Sequence, residues 1–207
     1  MSDSYKTVRQ EAQDEFTEKR SRFIGYIAPV TSPEEASHFI EQIKKKNYNA
    51  RHNCFAYVLR EGNVKRYSDD GEPQGTAGTP ILNVLEKEEI TDAVIVVTRY
   101  FGGILLGTGG LTRAYSHAAK LALLKGEVKQ MGLCSILELK TDYAFYQRIV
   151  ATFKDTEVHV LSENFLEDVT VRFSVPAEQE EIWKAKLFEL SDGKIMPERI
   201  EQNFAEI

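Results

Sequence analysis

Glycines and basic residues cluster between Arg99 and Arg113, and these residue types suit the binding of an anion. Glycine lets bare backbone N–H groups approach a ligand, and a helix that begins there adds the positive end of its dipole. No Asp or Glu occurs between Ala93 and Gly126. We therefore predict an anion or nucleic-acid site at the following residues of this segment: Arg99, Tyr100, Gly107, Thr108, Gly109, Gly110, Thr112 and Arg113.

This segment does not match the common phosphate-binding motifs. A P-loop requires Lys and then Ser or Thr after the last glycine, and the dinucleotide fingerprint requires a third glycine where this chain has Thr112. The alternative is that the glycines serve tight turns and close helix packing, with both arginines solvated or paired.

A second polar segment, Ser68 to Gly78, shows no periodicity and carries three carboxylates. Their spacing does not match a calcium loop, and Asp-Gly and Glu-Pro are common in turns. A metal-binding or acid–base pair is the less favoured alternative. We expect neither a bound metal ion nor a cofactor, and the candidate contacts to a partner or metal are Ser68, Asp69, Asp70, Glu72, Gln74 and Thr76.

The tetrad Arg51-His52-Asn53-Cys54 places a histidine and a cysteine on the same side of a predicted strand. Residues two apart on a strand rarely reach hydrogen-bonding geometry, so packing of Cys54 is favoured over a nucleophilic role. We add four basic residues of this region to the anion site, namely Arg51, His52, Lys65 and Arg66, and expect Tyr57, Tyr67 and Tyr100 to be available for stacking on bases.

The composition is that of a globular protein, with 207 residues, 42% hydrophobic residues and a net charge of −6. The charge is uneven: residues 1–132 carry 18 Lys and Arg against 17 Asp and Glu, whereas residues 133–207 carry 8 against 15. The acidity therefore belongs to the C-terminal third and does not argue against an anionic partner for the rest.

The cysteine count and the apolar runs point to a cytoplasmic protein. Cys54 and Cys134 cannot form a disulfide framework, which favours a reducing cytosol. The longest apolar run, Ala93 to Val97, is too short to cross a bilayer. Met1 to Ser4 lack a basic region followed by an apolar stretch, so no signal peptide is expected.

Periodicity predicts an α+β fold with two domains, 1–132 and 133–207. In the first, the predicted elements are strands at Tyr5–Gln10, Ser21–Val30, Asn53–Leu59, Val64–Ser68 and Ala93–Val97 and helices from Ser32 to Lys46, from Thr79 to Lys87 and from Leu111 to Lys125. In the second, strands and helices alternate as β-α-β-β-α-β, the ferredoxin-like order.

Three long blocks resemble the YigZ/Impact family: Ala50 to Tyr57, Ser68 to Gly78, and Arg99 to Gly103 with Leu106 to Tyr115. The resemblance covers nearly the whole chain and corresponds to the two-domain bacterial type. It implies an N-terminal α/β domain like the second domain of a small-subunit ribosomal protein and a C-terminal domain like a late domain of elongation factor G. Eukaryotic relatives regulate translation by competing for the activator of a stress kinase, and no catalytic residues carry over.

We accordingly expect a translation-associated regulatory protein that binds RNA or the ribosome, with a protein partner as a further hypothesis. Catalysis is the less favoured interpretation. The alternative function is an enzyme or binding protein for a phosphorylated small molecule or nucleotide, held by the Gly102–Gly110 segment.

Overall fold

The computed structural model describes residues 4–207. Residues 1–3, on which the signal-peptide expectation rests, lie outside the described range. Residues 5–129 form one compact unit, and residues 130–207 form most of a second. The boundary predicted at residue 132 falls within a continuous strand, Val128–Thr141, and remains a prediction.

The first unit is built on a five-stranded antiparallel sheet. The sheet and its helices comprise β2 (Ala12–Glu18), β3 (Ser21–Pro29), α1 (Pro33–Lys46), β4 (His52–Leu59), β5 (Val64–Ser68), α2 (Gly78–Lys87), β6 (Ala93–Tyr100) and α3 (Thr108–Gly126), and they are preceded by β1 (Ser4–Val8), which is not a strand of this sheet. The strand order in the sheet is β2-β3-β6-β4-β5. The buried strand β6 is therefore central, as its unbroken apolar sequence requires.

Helices cover both faces of this sheet. Helix α1 begins as predicted, because the Ser32 hydroxyl accepts the N–H of Glu35 and Pro33 occupies the first turn. It packs against Ile24, Tyr26 and other residues of one face. Helices α2 and α3 pack on the opposite face, on which the alternation of β3 places Phe23 and Ile27.

Helix α3 lies unusually close to β3 at Gly25. A Cβ atom built at Gly25 would lie 2.3 Å from the carbonyl oxygen of Ala118. Glycine is therefore required by the close approach of the helix and not by the backbone angles of the strand.

Several elements of this unit differ from the prediction, and β6 runs past its predicted end at Val97 to Tyr100, so that Arg99 and Tyr100 lie on the strand. Strand β2 was not predicted, since Ala12–Glu18 is rich in Asp, Glu and Gln and forms a half-buried sheet edge. Helix α3 begins at Thr108 and not at Leu111, because two glycines of its first turn obscure the helical pattern.

The second unit has the predicted ferredoxin-like fold. Its elements are β7 (Val128–Thr141), α4 (Tyr143–Phe153), β8 (His159–Phe165), β9 (Val169–Pro176), α5 (Glu180–Leu190) and β10 (Glu198–Glu206). The strands pair antiparallel in the order β10-β7-β9-β8. Both helices pack on one face, around a core that includes Phe173 and Trp183. Within residues 4–207, no helix is long and apolar enough to span a membrane.

Candidate functional site

Three side chains from neighbouring strands form a row across the sheet, on the face covered by α2 and α3. Phe23 of β3 lies opposite Arg99 of β6, and Arg99 lies opposite His52 of β4. The row lies at the end of the sheet where β6 leads into the glycine-rich segment. The antiparallel register thus brings the predicted His52 and Arg99 together.

A cavity of about 420 Å³ lies beside this row. Three segments that are distant in sequence contribute to it: Arg51 and His52, Glu72 and Pro73, and residues 99–111. The third segment forms a mainly apolar wall of the cavity with the side chains of Phe101, Leu105, Leu106 and Leu111. Gly107 and Thr108, at the start of α3, also line the cavity. Cavities of this size with a few polar groups are typical of small-ligand sites.

A buried ion pair lies at the inner end of the cavity. Arg99 Nη1 donates to Glu72 Oε1 at 2.7 Å, and the exposed fractions of the two side chains are 6% and 4%. The Tyr115 hydroxyl donates to the same Oε1 at 2.8 Å. Burial, with nearby Cys54 and Glu72, raises the pKa of Tyr115 well above its ordinary value, so this hydroxyl stays protonated and can donate.

The other two carboxylates of the Ser68–Gly78 segment hold backbone in place. Asp69 accepts hydrogen bonds from the N–H groups of Gly75, Ala77 and Gly78 at 2.8 to 3.0 Å. Asp70 accepts the N–H of Asn53 at 2.7 Å. Among the described residues, no group of three or more His, Cys, Asp or Glu side chains could hold a metal ion.

His52 and Cys54 are each bonded to a different backbone carbonyl and do not act as a pair. The Cys54 thiol donates to the carbonyl of Asp69 at 2.9 Å, and burial raises its pKa far above the ordinary value. His52 Nδ1 lies 2.9 Å from the carbonyl of Asp70. Because a carbonyl only accepts, Nδ1 carries the proton, and Nε2 is an acceptor in the neutral ring. The geometry agrees with a packing role for Cys54.

At the start of α3, beside the cavity, lie backbone donors that the helix itself does not use. Gly107 precedes the helix with φ of +71°, a left-handed conformation that favours glycine, and no side chain caps the helix there. The first intrahelical bond is from Leu111 N–H to the Gly107 carbonyl at 2.9 Å. The N–H groups of Thr108, Gly109 and Gly110 are therefore unused by the helix.

Two arginines near the start of α3 are exposed. Arg51 lines the cavity. Arg113 lines a second cavity of about 280 Å³, which also has Leu106 in its wall and includes Lys19, His117 and one carboxylate, Glu18. Neither arginine forms an ion pair with any carboxylate in residues 4–207.

The structure does not bring every predicted anion contact to this place. Tyr100 points to the α1 face, where its hydroxyl donates to Asn47 Oδ1 at 3.0 Å, because adjacent strand residues face opposite sides. Lys65 of β5 forms an ion pair with Glu86 of α2 at 2.8 Å. Arg66 of the same edge strand lies opposite Tyr57, on the α1 face of the sheet.

Two further predicted contacts are used inside the protein. Arg99 is buried and its charge is balanced by Glu72, so the structure does not support it as a phosphate ligand. The Thr112 hydroxyl donates to the carbonyl of Thr108 at 3.1 Å within its own helix.

The predicted loop contacts also have structural roles. The Thr76 hydroxyl donates to the carbonyl of Pro73 at 2.6 Å, and the Ser68 hydroxyl accepts the N–H of Asp70 at 3.1 Å. Gln74 is exposed. Of the tyrosines expected to stack on bases, Tyr57 is buried, whereas Tyr67 is exposed on β5.

Sequence reasoning missed the apolar members of the site. Phe101 and Leu105 line the cavity although their exposed fractions are 51% and 83%. Their signal was present in the sequence as large apolar residues beside glycines, where no strand or helix pattern explains them: Phe101 precedes Gly102, and Leu105 lies between Gly103 and Gly107.

Comparison with known proteins identifies both units. The Impact N-terminal domain family matches residues 19–123, and a domain of unknown function, DUF1949, matches residues 139–194. "IMPACT family member YvyE" of Bacillus subtilis is 37% identical over 195 residues, which cover 94% of this chain and 90% of that protein. "IMPACT family member YigZ" of Escherichia coli is 33% identical, covering 89% of this chain and 92% of its own.

A eukaryotic relative and a solved structure extend the comparison. "Protein IMPACT homolog" of Dictyostelium discoideum is 43% identical over 106 residues, which cover 49% of this chain and 29% of that protein. A solved structure titled "Crystal structure of an hypothetical protein" is 31% identical with a TM-score of 0.62, covering 97% of this chain and 99% of its own.

Proposed function

This chain belongs to the IMPACT family, and we propose that it is a translation-associated protein whose N-terminal unit binds RNA, alone or within the ribosome, at the start of α3. The translation theme comes from the family resemblance, and the RNA-binding role rests on the chemistry of the site. No catalytic step is proposed, because the Cys54 thiol and the carboxylates of the site are held in internal hydrogen bonds.

The balance of charge around the cavity is the observation that carries this proposal. Each carboxylate of the Ser68–Gly78 segment has an internal partner: Glu72 has Arg99, Asp69 has three backbone N–H groups, and Asp70 has a backbone N–H and the Lys44 ammonium at 3.4 Å. Arg51 and Arg113 have no such carboxylate partner in the described part of the chain. At the second cavity Lys19 adds one positive charge and Glu18 one negative charge, so the charge left over at the site is positive.

Positive side chains at a helix N-terminus suit phosphate groups, because the unused N–H groups and the helix dipole also favour an anion. RNA supplies phosphates at regular spacing, so both arginines can be used by one ligand. Binding of this type releases counterions and weakens as the salt concentration rises.

Binding of fluorescently labelled RNA, followed by anisotropy across a salt series, tests the proposal. We expect Arg51→Gln and Arg113→Gln each to weaken binding and to make its salt dependence less steep. Arg66→Gln is the matched control, since it removes the same charge from the α1 face of the same unit. Wild-type protein that binds neither RNA nor ribosomes in a salt-sensitive way would disprove the proposal.

A second candidate function is binding of a phosphorylated small molecule or nucleotide at the Gly102–Gly110 segment. The cavity of about 420 Å³ favours a small ligand, because small molecules bind in concave sites that enclose most of their surface. Thermal-shift measurements with a panel of nucleotides and sugar phosphates, with and without magnesium, distinguish this function from RNA binding. A ligand at 100 times its Kd stabilises the protein by about 2.7 kcal/mol, and unchanged melting across the panel would argue against this candidate.

A further inference from the structure

We propose that the cavity between Arg51 and the start of α3 holds one unpaired nucleotide of the bound RNA. The base enters the apolar recess, and the phosphates on either side lie against the exposed arginines. This inference rests on the proposed function and narrows it to single-stranded segments of RNA, such as loops, bulges or ends.

The walls of the cavity suit the faces of a nucleobase. Phe101 is 51% exposed and Leu105 is 83% exposed, and both line the recess together with Pro73 and Leu111. Large apolar side chains left in solvent beside a cavity are typical of a binding surface. An aromatic ring such as Phe101 stacks on any base, because every base has a π face.

Polar groups are available at the same cavity for the edge of the base. His52 Nδ1 is held by the Asp70 carbonyl at 2.9 Å. Its other ring nitrogen, Nε2, is left to accept a hydrogen bond from an amino group of a base. The exposed Thr108 lines the cavity as well, and its hydroxyl can both donate and accept.

A buried side chain at the cavity supplies an independent sign of an incomplete site. Arg99 lines the cavity and is more than nine-tenths buried, yet its Nε has no hydrogen-bond partner within residues 4–207. A buried N–H without a partner is costly and uncommon in native proteins. A polar atom of a ligand seated in the cavity can supply this partner without breaking the ion pair to Glu72, which uses Nη1.

The recess favours an unpaired nucleotide over a duplex. In a double helix the bases are stacked and paired, so their faces cannot enter a cavity, whereas unpaired bases can be turned out. Arg51 and Arg113 line cavities that share Leu106 as a wall. A chain with phosphates on both sides of the inserted base offers one phosphate to each arginine, whereas a free nucleotide with a single phosphate offers only one.

The test compares a labelled single-stranded RNA with the same sequence in a blunt duplex, using the full chain and fluorescence anisotropy. We expect wild-type protein to bind the single strand more tightly. Phe101→Ala should weaken single-strand binding about tenfold through loss of stacking and leave duplex binding unchanged. Leu105→Ser, at a position too exposed to affect folding, should act in the same direction.

Tyr48→Ala is the control, because Tyr48 is an exposed aromatic residue of the same unit, at 85%, that does not line the cavity. It should leave binding of both RNAs unchanged. Melting temperatures of all variants confirm that the fold is intact.

The outcomes separate this inference from the proposed function. Salt-sensitive binding that is equal for single strand and duplex, or that survives both Phe101→Ala and Leu105→Ser, overturns the inference and leaves the proposed function standing. Competition by a free nucleoside monophosphate as effective as that by RNA also overturns it, in favour of the second candidate. If no RNA binds at all, the proposed function itself fails.

Discussion

Arg99 and Glu72, 27 residues apart in sequence, form a buried ion pair with an Nη1–Oε1 distance of 2.7 Å. The pair links the central strand β6 to the Ser68–Gly78 segment. Both residues line the cavity, so the pair fixes two of its walls relative to each other. Its main role is therefore to build the site, and a ligand meets mainly the residues around it.

Glu72→Gln should strongly destabilise the N-terminal unit. The substitution leaves the Arg99 charge buried without a counterion, and breaking a buried pair in this way costs about 3–5 kcal/mol. Urea unfolding followed by circular dichroism measures the loss. Glu86→Gln is the control: its pair with Lys65 is exposed, so its loss should cost at most about 1 kcal/mol. Equal losses for both variants would contradict a special role for Glu72.

Asp69→Ala should loosen the Ser68–Gly78 segment and the start of α2. Ala77 precedes α2 without a capping side chain of its own, and Asp69 accepts the N–H groups of Ala77 and Gly78 from a distance in sequence. Leaving such donors without a partner costs about 1–3 kcal/mol. Asp69→Asn keeps one acceptor oxygen and should lose less. Hydrogen exchange at Ala77 and Gly78 measures the effect, and unchanged protection in Asp69→Ala would refute it.

Gly25→Ala should destabilise the packing of α3 on β3. The added methyl group would lie 2.3 Å from the carbonyl oxygen of Ala118, so the helix must move, which typically costs about 1–3 kcal/mol. Gly109→Ala is the control, because the nearest atom to its Cβ is Arg113 Nη1 at 3.7 Å. Thermal melting should show a lower Tm for Gly25→Ala only. An unchanged Tm would show that the helix adjusts without cost.

Acid should destabilise the C-terminal unit through Glu180. Burial alone would raise the pKa of this carboxyl, but hydrogen bonds from Lys184 and Ser135, with the charges of Lys184 and Arg199, hold it below the ordinary value of 4.5. A lowered pKa in the folded state contributes stability above the unfolded pKa, and this contribution is lost as pH falls through the folded pKa.

Fluorescence of Trp183, the only tryptophan of the chain, reports this unit because it lies in the same core. Urea unfolding is measured across a pH series from neutral to acid. The urea concentration at the midpoint of wild-type unfolding should decrease once the pH is below the ordinary pKa of Glu. Glu180→Gln should show a shallower dependence on pH, and an identical slope would exclude Glu180 as the source.

Local sequence patterns were sufficient where one element depends on its own residues. The Ser32-Pro33 start of α1, the unbroken apolar strand β6 and the βαββαβ order of the second unit were all predicted, since capping, burial and periodicity are read from neighbouring residues. Strand β2 was missed, because an edge strand of Asp, Glu and Gln is stabilised by pairing with β3 and not by its own preference.

The sequence by itself determined the family, the two-domain α+β organisation and the concentration of glycines and arginines near α3. Only the tertiary structure decided which of these residues meet. Strand alternation turned Tyr100 to one face and Arg99 to the other, and the loop bearing Glu72 neutralised Arg99. The physical reason is that charge pairing and cavity shape depend on contacts between distant segments. Residue types alone therefore could not distinguish Arg99, whose charge is balanced by Glu72, from Arg51 and Arg113, which form no ion pair within the described residues.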